Sequence, residues 1–170
     1  KIVSIFQESN QHIILLHGFQ GYPTKIEELN LKRLLTLKER FGVEIGIMDH
    51  VSGNSEFALI APLLAVSMGA TIVEKHITLD RTMDGPDHKS SINPEELTMM
   101  VNSIRNIEKA LGSSIKKPSK SEEPNIASVR KSIVASRSIK KGEIFTEQNI
   151  TIKRPGTGIS PMEWDSMIDK

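Results

Sequence analysis

Three short apolar runs about 30 residues apart, each followed by a helix-forming stretch, predict an α/β fold built on a parallel sheet. A change of composition after residue 112 predicts a second, smaller unit of short strands and turns. Histidines closing two successive runs predict that any chemistry lies at the carboxyl ends of those strands.

The first run is Ile13-Ile14-Leu15-Leu16, ahead of Gly18; the second is Val43-Glu44-Ile45-Gly46-Ile47-Met48; the third is Thr71-Ile72-Val73-Glu74-Lys75-His76-Ile77. Between the first two, a helix is expected to open at Asn30 as N-cap, carry Leu31, Leu34, Leu35 and Leu37 to Phe41, and stop at Gly42. A second helix is expected over about 55–68, where Pro62 must kink it or stand near its start. The third has the clearest signals. Asn93 is the N-cap, Pro94 takes the first helical position, Glu95 and Glu96 face the positive helix end, and Leu97, Met100, Val101, Ile104, Ile107 and Leu111 form one stripe before Gly112.

Three such units neither close a barrel nor protect the edges of an open sheet, so further strands are expected. Lys1 in place of an initiator Met, and an opening that reads as the tail of a helix, carry the same expectation of a piece cut from a longer chain. Residues 113–127, with Pro118, Pro124 and many Ser, Lys and Glu, read as a linker between a first domain (1–112) and a second (128–170). In the second, Ser132-Ile133-Val134-Ala135 and Ile150-Thr151-Ile152 read as strands, and Lys140-Lys141-Gly142-Glu143 as a turn.

With 38% hydrophobic and 25% charged residues the composition is globular. A net charge of +1 offers no field for a polyanion, so no nucleic-acid partner is expected. No run approaches the ~18 apolar residues of a membrane span. Cysteine is absent, which excludes disulfides and thiolate metal sites and fits a cytoplasmic protein. Any metal must use His or carboxylate.

Side chains alternate along a strand, so Glu74 and His76 share a face with Lys75 opposite, and Met48 shares a face with His50 with Asp49 opposite. His50 and His76 end successive strands, which makes them neighbours in a parallel sheet. Two neutral imidazoles and water suit a first-row divalent ion such as Mn2+, acting as a Lewis acid on a carbonyl. Each His alone equally fits a backbone hydrogen bond at a strand end; the pair, with Glu74 expected on the same buried face, favours function. The loop Leu79–His88 is longer than a βα turn needs, and Gly85-Pro86 there places Asp87 over the strand ends. Asp80 and Asp84 read as turn-forming or salt-bridged, and His88 and Lys89 as solvated. Gln20 and Tyr22 follow the first strand on one parity and offer hydrogen bonds to a ligand. Arg154, a fork-shaped cation before a glycine-rich turn, is able to grip a carboxylate or amide oxygen.

Taken together these segments resemble the sialic acid synthase family, that is, N-acetylneuraminate synthases and their legionaminate- and pseudaminate-forming relatives. The resemblance rests on Tyr22-Pro23, Asp49-His50, Glu74-Lys75-His76, Thr78-Leu79-Asp80-Arg81, Gly85-Pro86-Asp87-His88-Lys89, the stretch Arg105–Gly112, Arg130–Ala135 and Lys153–Ile159. It implies the C-terminal part of a (β/α)8 TIM barrel, three βα units corresponding to strands six to eight, followed by an antifreeze-like (SAF) domain. It also implies a transferase that condenses phosphoenolpyruvate with an N-acylated hexosamine to a nine-carbon 2-keto acid, releasing phosphate. Carried over by position, His50 and His76 would hold Mn2+, or Mg2+ or Co2+ in its place, and Glu74 would lie against phosphoenolpyruvate. Asp87 would hold acceptor hydroxyls and Tyr22 would line the pocket. Arg154 would reach from one subunit into the other in a domain-exchanged homodimer.

Two departures stand out. Gln20 stands where the family usually has Asn or Ser, and Met48 where it commonly has Ser; both positions lie near the phosphoenolpyruvate phosphate in the family. The alternative they motivate is a non-catalytic, carbohydrate-binding relative of the same fold. The barrel strands carrying the family's phosphate-binding lysines are not in this sequence, so this stretch alone is expected to be inactive.

Overall fold

In a computed structural model that describes residues 1–170, the first unit, Lys1–Gly112, runs α1 (Ile2–Glu8), β1 (Ile14–Gly18), α2 (Arg33–Phe41), β2 (Glu44–Asp49), α3 (Phe57–Ser67), β3 (Ile72–Lys75) and α4 (Pro94–Leu111). The three strands form one parallel sheet in the order β1-β2-β3, with β2 central. Parallel neighbours need a crossover, and a helix fills each gap between strands.

Alternation gives the sheet two unlike faces. Ile45 and Ile47 point to the helical side, where they bury against Leu34 of α2 and Ala65 of α3. A second cluster joins Leu29, Val51, Ala58, Ala61, Ile92 and Met100, so α3 and α4 pack together over the strand ends. On the other face Leu16, Ile72 and Glu74 are exposed.

Cap signals explain where α2 stops and where α4 starts. Gly42 closes α2 with φ 63°, the left-handed conformation that glycine adopts without a Cβ penalty. At α4 the Asn93 side chain accepts from the Glu96 amide, the Glu96 carboxylate accepts from the Asn93 amide, and Pro94 opens the first turn. Asn30 is not the N-cap of α2. It takes φ 46°, its side chain donates to the Glu28 carbonyl, and the chain makes tight turns before the helix begins at Arg33. Pro62 stands inside α3, fully enclosed, rather than near its start. The third strand ends at Lys75, leaving His76 just beyond it, and Val101 and Leu111 of the α4 stripe are exposed.

The second unit, Ser113–Lys170, holds α5 (Ile126–Val129), β4 (Ser132–Ala135), β5 (Ile150–Lys153) and α6 (Trp164–Met167). Residues 123–129 of the stretch around the expected linker form short helical turns. β4 and β5 are antiparallel, and Ile133 donates onward to the carbonyl of Ile159. Buried Asn149 ties the connection between the strands, accepting from the Thr146 amide and donating to the Ile144 carbonyl. The 140–143 segment is a turn, with Gly142 at φ 83° and the Glu143 amide donating to the Lys140 carbonyl. No helix is long and apolar enough to cross a membrane.

Candidate functional site

The carboxyl ends of β1, β2 and β3 bring Tyr22, His50, His76 and Asp87 together. His50 is buried, at 1% exposure, and its Nδ1 donates to the Phe19 carbonyl at 2.9 Å. A carbonyl only accepts, so the proton sits on Nδ1 and the Nε2 of neutral His50 keeps its lone pair. The His50 and His76 ring centroids are 5.1 Å apart. Tyr22 lies over His50 at 4.2 Å and meets His76 edge-on at 5.9 Å. Gln20 is exposed beside them and its Oε1 accepts from the Tyr22 hydroxyl at 3.4 Å.

Backbone contacts fix both histidines from outside. The Thr24 amide donates to the His50 carbonyl at 2.8 Å, and the Ile92 amide to the His76 carbonyl at 3.0 Å. These are the points where the loops after β1 and β3 return to the sheet, as the bridges Thr24–Val51 and Ile77–Ile92 show. Gly53 lets the loops after β2 and β3 approach: a Cβ there would stand 1.9 Å from the Ser91 carbonyl oxygen.

His76 Nδ1 lies 3.9 Å from an Asp87 carboxylate oxygen, too far for a direct hydrogen bond but close enough for one bridging water. Glu74 shares the parity of His76 and is exposed in this three-stranded sheet. It stands on the sheet face away from the helices, the face that further barrel strands are expected to cover. Arg154 belongs to the second unit, directly follows β5, is exposed, and makes no side-chain hydrogen bond or ion pair within the chain.

Several features went unread in the sequence. Lys75 and Asp49, on the face opposite the histidines, form an ion pair of 2.6 Å with side-chain exposures of 3% and 0%. Arg81 grips Glu96 of α4 with two N–H groups and donates its Nε to Asn54 at 3.1 Å, which fastens the long loop to the α4 N-terminus. That guanidinium is the main reason the Glu96 carboxyl is held below the ordinary range. His88 is hydrogen-bonded to Thr78 at 2.8 Å rather than simply solvated. Asp80, by contrast, forms a turn as the sequence indicated, accepting from the Thr82 amide and hydroxyl, and these bonds lower its pKa.

No group of three or more His, Cys, Asp and Glu side chains is arranged to hold a metal ion. The donor set fits one in a more open form. Two imidazoles meet edge to face across neighbouring strands, and the nitrogen of His50 opposite its lone pair is held by a carbonyl, the kind of contact that orients ligating histidines. Remaining positions would be filled by water or substrate oxygen.

The NeuB family model matches residues 1–116 and the SAF domain model residues 130–168. The chain belongs to the NeuB family. With an SAF domain after its NeuB portion, it is the C-terminal part of a TIM barrel followed by a small β-rich domain. It is similar to the N,N'-diacetyllegionaminic acid synthase of Campylobacter jejuni, at 49% identity over 160 residues, covering 94% of this chain and 46% of that protein. Against a pseudaminic acid synthase of the same species the identity is 39%, over 100% of this chain and 48% of the relative. A solved N-acetylneuraminic acid synthetase from Leptospira borgpetersenii, in complex with citrate, matches with TM-score 0.64 and 40% identity over 73% of this chain and 42% of that one. The chain spans about half the length of the curated relatives it matches. These relatives are synthases of acidic sugars, and their named products differ.

Proposed function

We propose that this chain is the C-terminal half of a nonulosonic acid synthase, a cytoplasmic transferase that joins phosphoenolpyruvate to an N-acylated hexosamine with release of phosphate. The observation that carries the reading is the convergence of His50 and His76 at the ends of adjacent parallel strands, with Nε2 of His50 free. Family membership and the named products of the relatives support the reaction class. In balance, C3 of phosphoenolpyruvate would bond to the aldehyde carbon of the open-chain sugar as the carbonyl π bond breaks and its oxygen takes a proton from water; the hydroxide adds at C2, and the C2–O bond to phosphate breaks as the C2 hydroxyl proton passes to phosphate, leaving a nine-carbon 2-keto acid.

A bound divalent ion, Mn2+ first and Mg2+ or Co2+ as alternatives, would supply Lewis-acid polarisation of the sugar aldehyde. His50 and His76 would hold it, each fixed by the backbone bonds to its carbonyl. Glu74, exposed on the open face, would meet phosphoenolpyruvate and shuttle a proton to or from water. Asp87 would hold acceptor hydroxyls beside His76, while Gln20 and Tyr22 line the approach. Arg154 would grip the acceptor's N-acyl oxygen from the partner subunit of a domain-exchanged homodimer, consistent with its having no partner within the chain.

The test is phosphate release by the intact protein from phosphoenolpyruvate and Mn2+ across a panel of N-acylated hexosamines. Release with one acceptor, lost in His50→Ala and His76→Ala, supports the proposal; no release with any acceptor overturns it. Arg154→Ala should raise KM for the acceptor and leave metal affinity unchanged.

A further inference from the structure

We propose that the buried Asp49–Lys75 ion pair is the positioning device that sets the spacing of His50 and His76. The inference rests on the function proposed above, because it treats the two imidazoles as a preplaced site for a divalent cation.

Asp49 and Lys75 are partners in register across β2 and β3, and theirs is the last register pair before the two strands part. Beyond it the backbones turn to other neighbours: His50 accepts from Thr24 on one side and His76 from Ile92 on the other. Residues 50 and 76 are not themselves a register pair. The ion pair is thus the final side-chain link across the register pairs of the two strands, placed one residue ahead of each histidine. It also reaches past His50. One Asp49 oxygen accepts from Lys75 Nζ at 2.6 Å, and the other accepts from the Val51 amide at 2.9 Å. His50 is therefore bracketed by a carboxylate bonded to the residue after it, while that same carboxylate holds the residue before His76.

Burial makes this link stiff. With side-chain exposures of 3% and 0%, water does not compete for the pair, and a charge-assisted bond in a dry interior is both short and directional. Both side chains lie on the helical side of the sheet, so neither is a ligand. The pair acts through the backbone.

Removing one partner strands a charge and can unfold the site outright, whereas replacing both by neutral groups of similar volume often leaves stability unchanged. The double variant Asp49→Asn/Lys75→Met separates positioning from folding, since the carboxamide introduced by Asp49→Asn retains an oxygen for the Val51 amide. Two quantities are read on the intact protein: the cross-peak between the His50 and His76 ring protons in metal-free, histidine-labelled samples, and the affinity for Co2+ alone.

The expected result is a double variant that folds cooperatively with a modestly lower melting temperature, no His50–His76 cross-peak, and Co2+ binding about 10- to 100-fold weaker. A folded double variant that keeps either the cross-peak or the wild-type affinity overturns the proposal. So does a double variant that does not fold, because the pair would then serve the fold as a whole. If the wild-type protein shows the cross-peak but binds no Co2+, the metal reading fails, and the positioning claim is still decided by the cross-peak alone.

Discussion

The two units use the same pairing chemistry in opposite settings. In the first unit Asp49 and Lys75 are sealed between sheet and helices, and Arg81 and Glu96 are three-quarters covered beneath the long loop. In the second, Arg137 and Glu143 meet on the connection between β4 and β5 with side-chain exposures of 52% and 29%. Where water is excluded the pair cannot lose one member without leaving a bare charge, so it fixes geometry. Where water is present the pair contributes little and is screened by salt. The buried pairs are those next to the candidate site.

The contrast is broken most forcefully at Lys75. Lys75→Met alone should destabilise the intact protein by about 3–5 kcal/mol, read by chemical denaturation, because Asp49 is left buried without a cation. A loss of under about 1 kcal/mol would mean that water reaches the pair. Arg81→Ala should cost less, about 1–2 kcal/mol, by removing a charge-assisted fork to the α4 N-terminus. It should also make the 79–91 loop more accessible to a protease, and unchanged cleavage there would show that the fork does not fasten the loop.

Glu143 gives a smaller, pH-dependent effect. Hydrogen bonding from the Arg137 guanidinium, then from the Lys140 amide, pulls its carboxyl from 4.5 down to about 2. A carboxyl lowered on folding contributes stability that is fully present above its unfolded pKa and lost as pH falls through the folded one. Wild type and Glu143→Gln should therefore differ slightly in melting temperature at pH 6. That gap should close as pH is lowered from 4.5 towards 2, and it should shrink in high salt. A gap that widens on acidification contradicts the assignment. The least effect is expected at Ser90, fully buried with its hydroxyl unpartnered. Ser90→Ala should leave the melting temperature unchanged or raise it slightly; a clear drop would mean that the hydroxyl has a partner.

Much of the first unit was legible because its signals are local. The parallel strands follow from apolar runs of strand length, and α4 follows from Asn93, Pro94 and Gly112, whose effects act within one turn. Strand order was enough to make His50 and His76 neighbours, whereas the family resemblance, not the parity of β1, put Tyr22 beside them. What escaped depended on partners distant in the chain. Asp49 and Lys75 each precede a histidine in successive runs, so aligning the runs on His50 and His76 sets the opposite charges side by side. That register was the available signal. Asn30 resembles an N-cap, but its left-handed conformation ends one turn rather than starting a helix. His88 finds Thr78 only because the long loop folds back onto β3.

The most direct test of the central claim is a Mn2+ titration of the intact protein, with His50→Ala and His76→Ala in parallel. One site per chain, abolished by either substitution while the melting temperature of the metal-free protein is retained, is the predicted result. Mn2+ binding that survives both substitutions with unchanged affinity would contradict the account.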